Sequence, residues 1–155
     1  MDIVDPELIH QCDNNIDSCI PQFHQPGANN QLSKRLLYPE GRTCSTFEQL
    51  LKLDIPDMKD STFNKKCPVG FSKIAMVAHP GEDYHFYRQD KDGYWSHKDG
   101  ANKVKRYDAK KKLIANPETA ARDYRPNGSF LHYKDFCNFY CVPRRHTIKL
   151  NRWNF

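Results

Sequence analysis

The chain has 155 residues, a formal charge of +5 and a mean hydropathy of −0.85, and its aromatic residues number 9 Phe, 8 Tyr and 2 Trp. This length suits one domain with one modest, aromatic-rich core and excludes two full-sized domains. No apolar run approaches the roughly 18 residues needed to cross a bilayer, which excludes a transmembrane helix.

Residues 1–43 contain clusters of Asp, Asn, Gln, Pro and Gly, as in CDNNIDSC and QFHQPGANNQ. Such a segment buries little apolar surface, and we predict an extended or partly disordered arm there. A short helix is expected to begin at Pro6. Residues 44–155 are predicted to form a single α+β domain, a small antiparallel sheet with short helices. Any chemistry should lie between about Phe63 and His146.

The first helix of this domain is predicted over residues 46–54. Thr46 and Gln49 have the spacing of a capping box, apolar residues follow at helical intervals, and Pro56 stops the run. The later stretch FSKIAMVA contains strand-forming residues, and His79-Pro80-Gly81 ends it, so a core strand is expected.

A β-hairpin is predicted over DYHFYRQDKDGYWSHKDG, around Lys91, Asp92 and Gly93. If these three residues form the loop, with glycine in the left-handed conformation, the register of the hairpin is fixed. Because side chains alternate between the two faces of a strand, four aromatic or imidazole rings then lie on one face of the hairpin. These are His85, Tyr87, Trp95 and His97. A four-residue loop would instead send His97 to the face opposite His85.

The C-terminal part contains weaker signals. Asn116 and Pro117 predict a short helix over PETAARDY, after a basic segment that forms another hairpin or an exposed loop. Pro143 limits a predicted helix at Cys137 to about two turns. HTIKLNRW alternates like a closing strand.

The six cysteines allow two interpretations of the cellular compartment in which the protein is located. The cysteines are Cys12, Cys19, Cys44, Cys67, Cys137 and Cys141. The start of the sequence has neither a basic leader nor an apolar run, so we predict free thiols in the cytosol. The alternative is a set of disulfides in an extracellular protein.

Two histidines twelve positions apart on paired strands, followed by a distant cysteine, resemble circularly permuted papain-like hydrolases of the lecithin retinol acyltransferase-like branch. The resemblance implies a papain-like fold in which His85 is the base, His97 orients it and Cys137 is the nucleophile. The implied substrate is an amide, ester or thioester with an acyl or peptide group, and no cofactor is implied.

Thiolate chemistry explains why these residue types would act together. An adjacent imidazole stabilises the thiolate as an ion pair, and a second polar group must hold that imidazole. The plainer alternative is cross-strand packing of His85 and His97 and a buried, unreactive Cys137. Cys141 lies four residues further on and competes for the role of nucleophile, although a core position is expected for it.

A metal site is another alternative to the catalytic triad. Cys67, Cys137 and Cys141 with one of His79, His85 or His97 would offer four soft ligands. Structural zinc sites normally use two close ligand pairs, and this sequence contains one, so we predict no metal.

The combination of YHFYRQ, GYWSHK and FCNFYCVP also resembles uncharacterised proteins of marseillevirus-like large DNA viruses and of some bacteria. This resemblance implies a viral protein of the host cytoplasm, with import into the nucleus or packaging in the virion as alternatives. With the absent leader, it predicts a protein that is not secreted.

The basic residues gather in two groups that predict an anion-binding surface. They are Lys103, Lys105, Arg106, Lys110, Lys111 and Lys112, then Arg144 and Arg145. Nucleic acid, an anionic membrane and host nuclear proteins are the candidate partners. The alternative function is therefore a non-enzymatic virion or host-interaction protein, and a merely solvated basic face is the plainest explanation.

Overall fold

The computed structural model describes residues 41–100 and 102–144. The predicted helix at Pro6, the cysteines Cys12 and Cys19, the basic residue Arg145 and the predicted strand HTIKLNRW lie outside these residues. The described part has the α+β class expected from the sequence, with one helix and a five-stranded antiparallel sheet.

Helix α1 spans Cys44–Asp54 and begins two residues before the predicted start. The reason is the cap: Thr43, rather than Thr46, is the N-cap residue, and its hydroxyl accepts a hydrogen bond from the Thr46 amide at 3.3 Å. The helix buries its apolar stripe, Phe47, Leu50 and Leu51, against the sheet.

The sheet has the order β1-β5-β2-β3-β4, and every neighbouring pair is antiparallel. The strands are β1 (Lys59–Ser61), β2 (Phe71–His79), β3 (Asp83–Gln89), β4 (Trp95–His97) and β5 (Asp135–Pro143). The predicted strand FSKIAMVA is confirmed as the central strand β2. The last strand returns to lie between β1 and β2, so the C-terminal strand is inside the sheet and β1 and β4 form its edges.

Each face of the sheet has its own apolar cluster, because alternate residues of β2 and β5 point to opposite sides. The face covered by α1 holds Met76, Ala78, Tyr140 and Val142 with the helix residues. The opposite face holds an aromatic cluster beneath the long loops, which includes Val77, Tyr87, Trp95, Tyr133 and Phe139.

The β3–β4 hairpin has the register predicted for a three-residue loop. Tyr87 pairs with His97, Gln89 pairs with Trp95, and the Asp90 amide donates to the Tyr94 carbonyl at 2.8 Å. The four-residue alternative is wrong because Gly93, with φ +87°, closes the shorter loop in the left-handed region.

Replacing Gly93 with alanine should lower the free energy of unfolding by about 1–2 kcal/mol, because a Cβ atom disfavours the left-handed conformation. Nothing lies within 4 Å of the added carbon, so the cost is backbone strain and not a clash. Urea denaturation would measure it. The exposed Lys91→Ala change in the same loop is the control, and equal stability of both variants would contradict the explanation.

Two predicted helices are absent from the structure. Cys137 lies on β5, because FCNFYCVP pairs along its length with β2 and supplies large side chains to both faces. The PETAARDY segment forms one turn, in which the Asn116 side chain accepts from the Glu118 amide at 2.9 Å. Asn116 therefore acts as a cap, but the chain leaves the helical path after Ala120, whose amide donates to the Asn116 carbonyl.

Candidate metal centre

The hairpin brings the two predicted site histidines into direct contact. Nε2 of His85, on β3, lies 2.9 Å from Nδ1 of His97, on β4. Both rings are buried, at 8% and 4% exposure. This pairing depends on the hairpin register, because a shift of one residue would turn one ring to the opposite face.

A third polar group, which the sequence interpretation missed, completes the cluster. Oδ1 of Asp99 lies 3.4 Å from Nε2 of His85 and 3.3 Å from Nδ1 of His97. The three atoms could together hold one metal ion. A signal was present, because Asp99 follows His97 by two residues and an extended chain carries such residues on the same side.

The other nitrogen of His97 shows which tautomer the ring adopts. Nε2 donates to the backbone carbonyl of Tyr107 at 3.1 Å, and a carbonyl oxygen can only accept. In the neutral ring, Nδ1 therefore directs a lone pair at His85 and Asp99. Metal-ligating histidines commonly make this kind of outer hydrogen bond, which orients the ring.

Aromatic rings pack around the two imidazoles and restrict their rotation. Tyr133 stacks on His85 with centroids 5.2 Å apart, and its hydroxyl donates to the Asp83 carboxylate at 2.7 Å. Tyr87 contacts His85 edge-on at 5.4 Å and His97 at 5.2 Å. The site is thus held by groups that are themselves anchored, which favours fixed geometry.

The electrostatics keep one ring neutral and the carboxylate charged. Burial, followed by the nearness of His97, lowers the pKa of His85 to about 4. When His97 is protonated its Nδ1 can donate as well, and that hydrogen bond to the carboxylate is the main cause of a strongly lowered pKa of Asp99. Lys105 binds the other carboxylate oxygen, Oδ2, at 2.8 Å and leaves Oδ1 facing the rings. A neutral imidazole and an ionised carboxylate are the ligand forms that metals require.

Cys137 does not join the histidines, contrary to the predicted triad. It forms a disulfide with Cys44, the first residue of α1. It also packs in the cluster beneath α1, whereas His85 lies on the opposite face of the sheet, beside Tyr133. A disulfide sulfur is not a thiolate nucleophile, and the sheet separates it from the imidazoles.

The prediction of free thiols is wrong for four of the six cysteines. Cys67 forms a second disulfide, with Cys141, so neither Cys137 nor Cys141 is available as a nucleophile. The mixed cysteine–histidine metal site considered from the sequence loses its three sulfur ligands for the same reason.

Without reductant, a maleimide probe should leave the described cysteines of the native protein unmodified at neutral pH. Only a thiolate reacts with the probe, and Cys137 and its partner Cys44 carry none while bonded. Mass spectrometry of the labelled peptides measures this, with a denatured, reduced sample as the positive control. Rapid labelling of Cys137 that is lost in His85→Ala would instead restore the predicted catalytic triad.

The predicted basic residues differ in their partners. Lys105 is paired with Asp99, and Arg106 binds Asp92 at 2.5 Å. Arg144 donates to a carbonyl at the start of β2, at 3.2 Å, and Lys103 lies in an exposed loop. Lys110, Lys111 and Lys112 lie in one tight turn that connects the bridged residues Tyr107 and Leu113.

None of the helices in the described segments combines the length and apolar character needed to cross a bilayer. Comparison with protein-family models gives no match, and no solved structure matches the chain.

Part of the chain is similar to a shell protein. The relative is insoluble matrix shell protein 1 of Ruditapes philippinarum, with 53% identity over 49 residues. The matched region is 32% of this chain and 33% of the relative, so the match spans about one third of that protein's length.

Proposed function

We propose that this domain binds one divalent transition-metal ion, with zinc as the best fit, through His85, His97 and Asp99. The observation that carries the proposal is the convergence of Nε2, Nδ1 and Oδ1 of these residues, with all three separations between 2.9 and 3.4 Å. This differs from the expectation of no metal, which considered sites built with cysteine.

The spacing suits a tetrahedral ion. Ligand atoms placed about 2.0–2.1 Å from zinc at tetrahedral angles lie about 3.3 Å from one another. Both Asp99 distances are close to that value, and the histidine nitrogens need to separate by only a few tenths of an ångström. In the bound form His85 carries its proton on Nδ1, which leaves the Nε2 lone pair for the metal.

The donor set favours zinc over the harder cations. Two imidazole nitrogens and one carboxylate oxygen suit zinc, copper or nickel, whereas calcium and magnesium prefer oxygen ligands. Three protein ligands leave a fourth position for water or an incoming donor. The side chain of Asp99 is 36% exposed, whereas both imidazole rings are buried. A water molecule or another donor would therefore approach the metal from the side of Asp99.

Calorimetric titration of the intact, oxidised protein tests the proposal. After treatment with a chelator and its removal, we expect one equivalent of zinc to bind and to raise the melting temperature, because the ion binds the folded state preferentially. Calcium and magnesium at the same concentration should do neither. No zinc binding, or equal binding of calcium, would overturn the proposal.

A second candidate function is a disulfide-stabilised component of an extracellular matrix. Two observations favour it: the Cys44–Cys137 and Cys67–Cys141 disulfides, which persist in oxidising compartments, and the similarity to a protein named for an insoluble shell matrix. In the source organism, an antibody should detect the protein in the extracellular insoluble fraction. Detection in the cytosol with reduced thiols would contradict this and favour the predicted cytoplasmic location.

The predicted viral thiol hydrolase or acyltransferase with a permuted papain-like fold is the weaker proposal. It keeps the paired histidines, but it needs Cys137 to be reduced and to reach the opposite face of the sheet. The non-enzymatic alternative needs only an accessible basic surface.

A further inference from the structure

A basic depression lies on the loop side of the domain, separate from the proposed metal ligands. Its volume is about 710 Å³, which is within the range of small-molecule sites. Three stretches line it: residues 109–111, residues 120–127 in part, and residues 132–134. Its floor contains the small residues Ala109, Ala120 and Ala121.

Four permanent cations line this depression, and none of them forms a direct ion pair with a described carboxylate, although the carboxylates of Asp108 and Glu118 lie nearby. They are Lys110, Lys111, Arg122 and Lys134. Within the described ranges, no carboxylate lies within ion-pair distance of any of them. Asp123 also lines the depression, but Arg125 holds both of its carboxylate oxygens at 2.8 Å. The depression therefore offers a net positive field.

The turn that presents two of these lysines is held in one conformation. The Asp108 carboxylate accepts from the amides of Lys110 and Lys112, each at 2.9 Å, and from the Ala121 amide at 3.0 Å. Lys111 has φ +60°, a left-handed conformation that is costly for lysine. Backbone of this kind persists where the surroundings impose it, and such positions are concentrated at functional sites.

The guanidinium of Arg122 is held in place by hydrogen bonds to backbone carbonyls. Its Nε donates to the Tyr133 carbonyl at 2.9 Å, and Nη1 donates to the carbonyls of Pro117 and Glu118. These bonds to neutral acceptors position the guanidinium without cancelling its charge. The lining of the depression therefore combines a cation held in place by hydrogen bonds with the lysines of the turn.

We propose that this depression binds a saccharide unit of an acidic polysaccharide, through its sulfate or carboxylate groups. The volume accommodates a sugar ring, and several cations in the lining complement the charge of an acidic saccharide. Nucleic acid fits less well because the tyrosine in the lining, Tyr133, is buried at 4% exposure and offers no platform for a base, which leaves the half-buried His132 as the other ring in the lining. The proposal does not depend on metal binding.

The test is binding of defined polyanions to the oxidised protein at low salt, measured by calorimetry. Heparin oligosaccharides carry sulfate and carboxylate, alginate oligosaccharides carry carboxylate alone, and single-stranded DNA and poly-aspartate represent the other classes. Binding of either saccharide, weakened as salt is raised, is expected, and the alginate result distinguishes carboxylate from sulfate recognition.

A triple variant, Lys110→Gln, Lys111→Asn and Lys134→Gln, should weaken saccharide binding at least about tenfold. Asparagine tolerates the left-handed conformation at position 111, so the turn is retained. The matched control removes three exposed lysines outside the depression, Lys65, Lys66 and Lys91. Equal losses in the two variants, tighter binding of DNA or poly-aspartate, or no saccharide binding would each overturn the proposal.

Both lysine variants should bind zinc with unchanged affinity. Failure of the saccharide proposal is therefore distinguishable from failure of the proposed metal site.

Discussion

Replacing His97 with alanine should reduce zinc affinity by more than about 100-fold, because one of three protein ligands is removed. His85→Ala should have an effect of the same order. In Asp99→Asn the side chain keeps its size but loses the charge, and a smaller loss of about 10–100-fold is expected. Calorimetry of each variant, with circular dichroism to confirm the fold, measures these effects.

The Asp99→Asn variant distinguishes the loss of a metal ligand from the loss of the folded structure. Asp99 is partly exposed, whereas His97 is buried, so Asp99→Asn should cost less stability than His97→Ala and should leave the domain folded. His132→Ala is the matched control, because this histidine lies outside the cluster and should bind zinc like the unmodified protein. Zinc affinity unaffected by Asp99→Asn, or reduced equally by His132→Ala, would contradict the assigned ligands.

Removal of the Cys44–Cys137 disulfide should produce a large loss of stability in this domain. The bond joins residues 93 positions apart, and the double change Cys44→Ser with Cys137→Ser should cost about 4 kcal/mol, because the unfolded chain regains the entropy of that long loop. Chemical denaturation without reductant measures the difference.

The second disulfide provides a comparison. Cys67 and Cys141 are separated by 74 positions, so the corresponding double serine variant should lose a similar amount. Folded Cys44→Ser, Cys137→Ser protein should still bind zinc with unchanged affinity, since the disulfide and the histidines lie on opposite faces of the sheet. A loss below about 1 kcal/mol would mean that the bond does not constrain the chain as described.

The hairpin and its two histidines could be predicted because both depend on nearby residues. Gly93 selects the loop, the loop sets the register, and the period of two brings His85 and His97 to one face. Helix α1 was predicted on similar grounds, although the start was placed at Thr46, whereas Thr43 is the N-cap in the structure.

Cys137 shows where this kind of reasoning fails. The run FCNFYCVP is apolar and short, and such a run is compatible with a helix or with a strand buried on both faces. Pairing with β2, about 60 residues earlier in the chain, decides for the strand. Its disulfide partner is also remote, and cysteine spacing alone cannot reveal which pairs form.

The sequence by itself determined the mixed α+β class, the central strand and the ring-bearing face of the hairpin, because turn chemistry and side-chain alternation act over a few residues. Tertiary structure decided the chemistry around that face. It directed Nε2 of His97 to the Tyr107 carbonyl, brought Asp99 to both rings and put the Cys137 sulfur on the other side of the sheet. Each of these depends on loop paths and long-range pairing, for which local propensity contains no information.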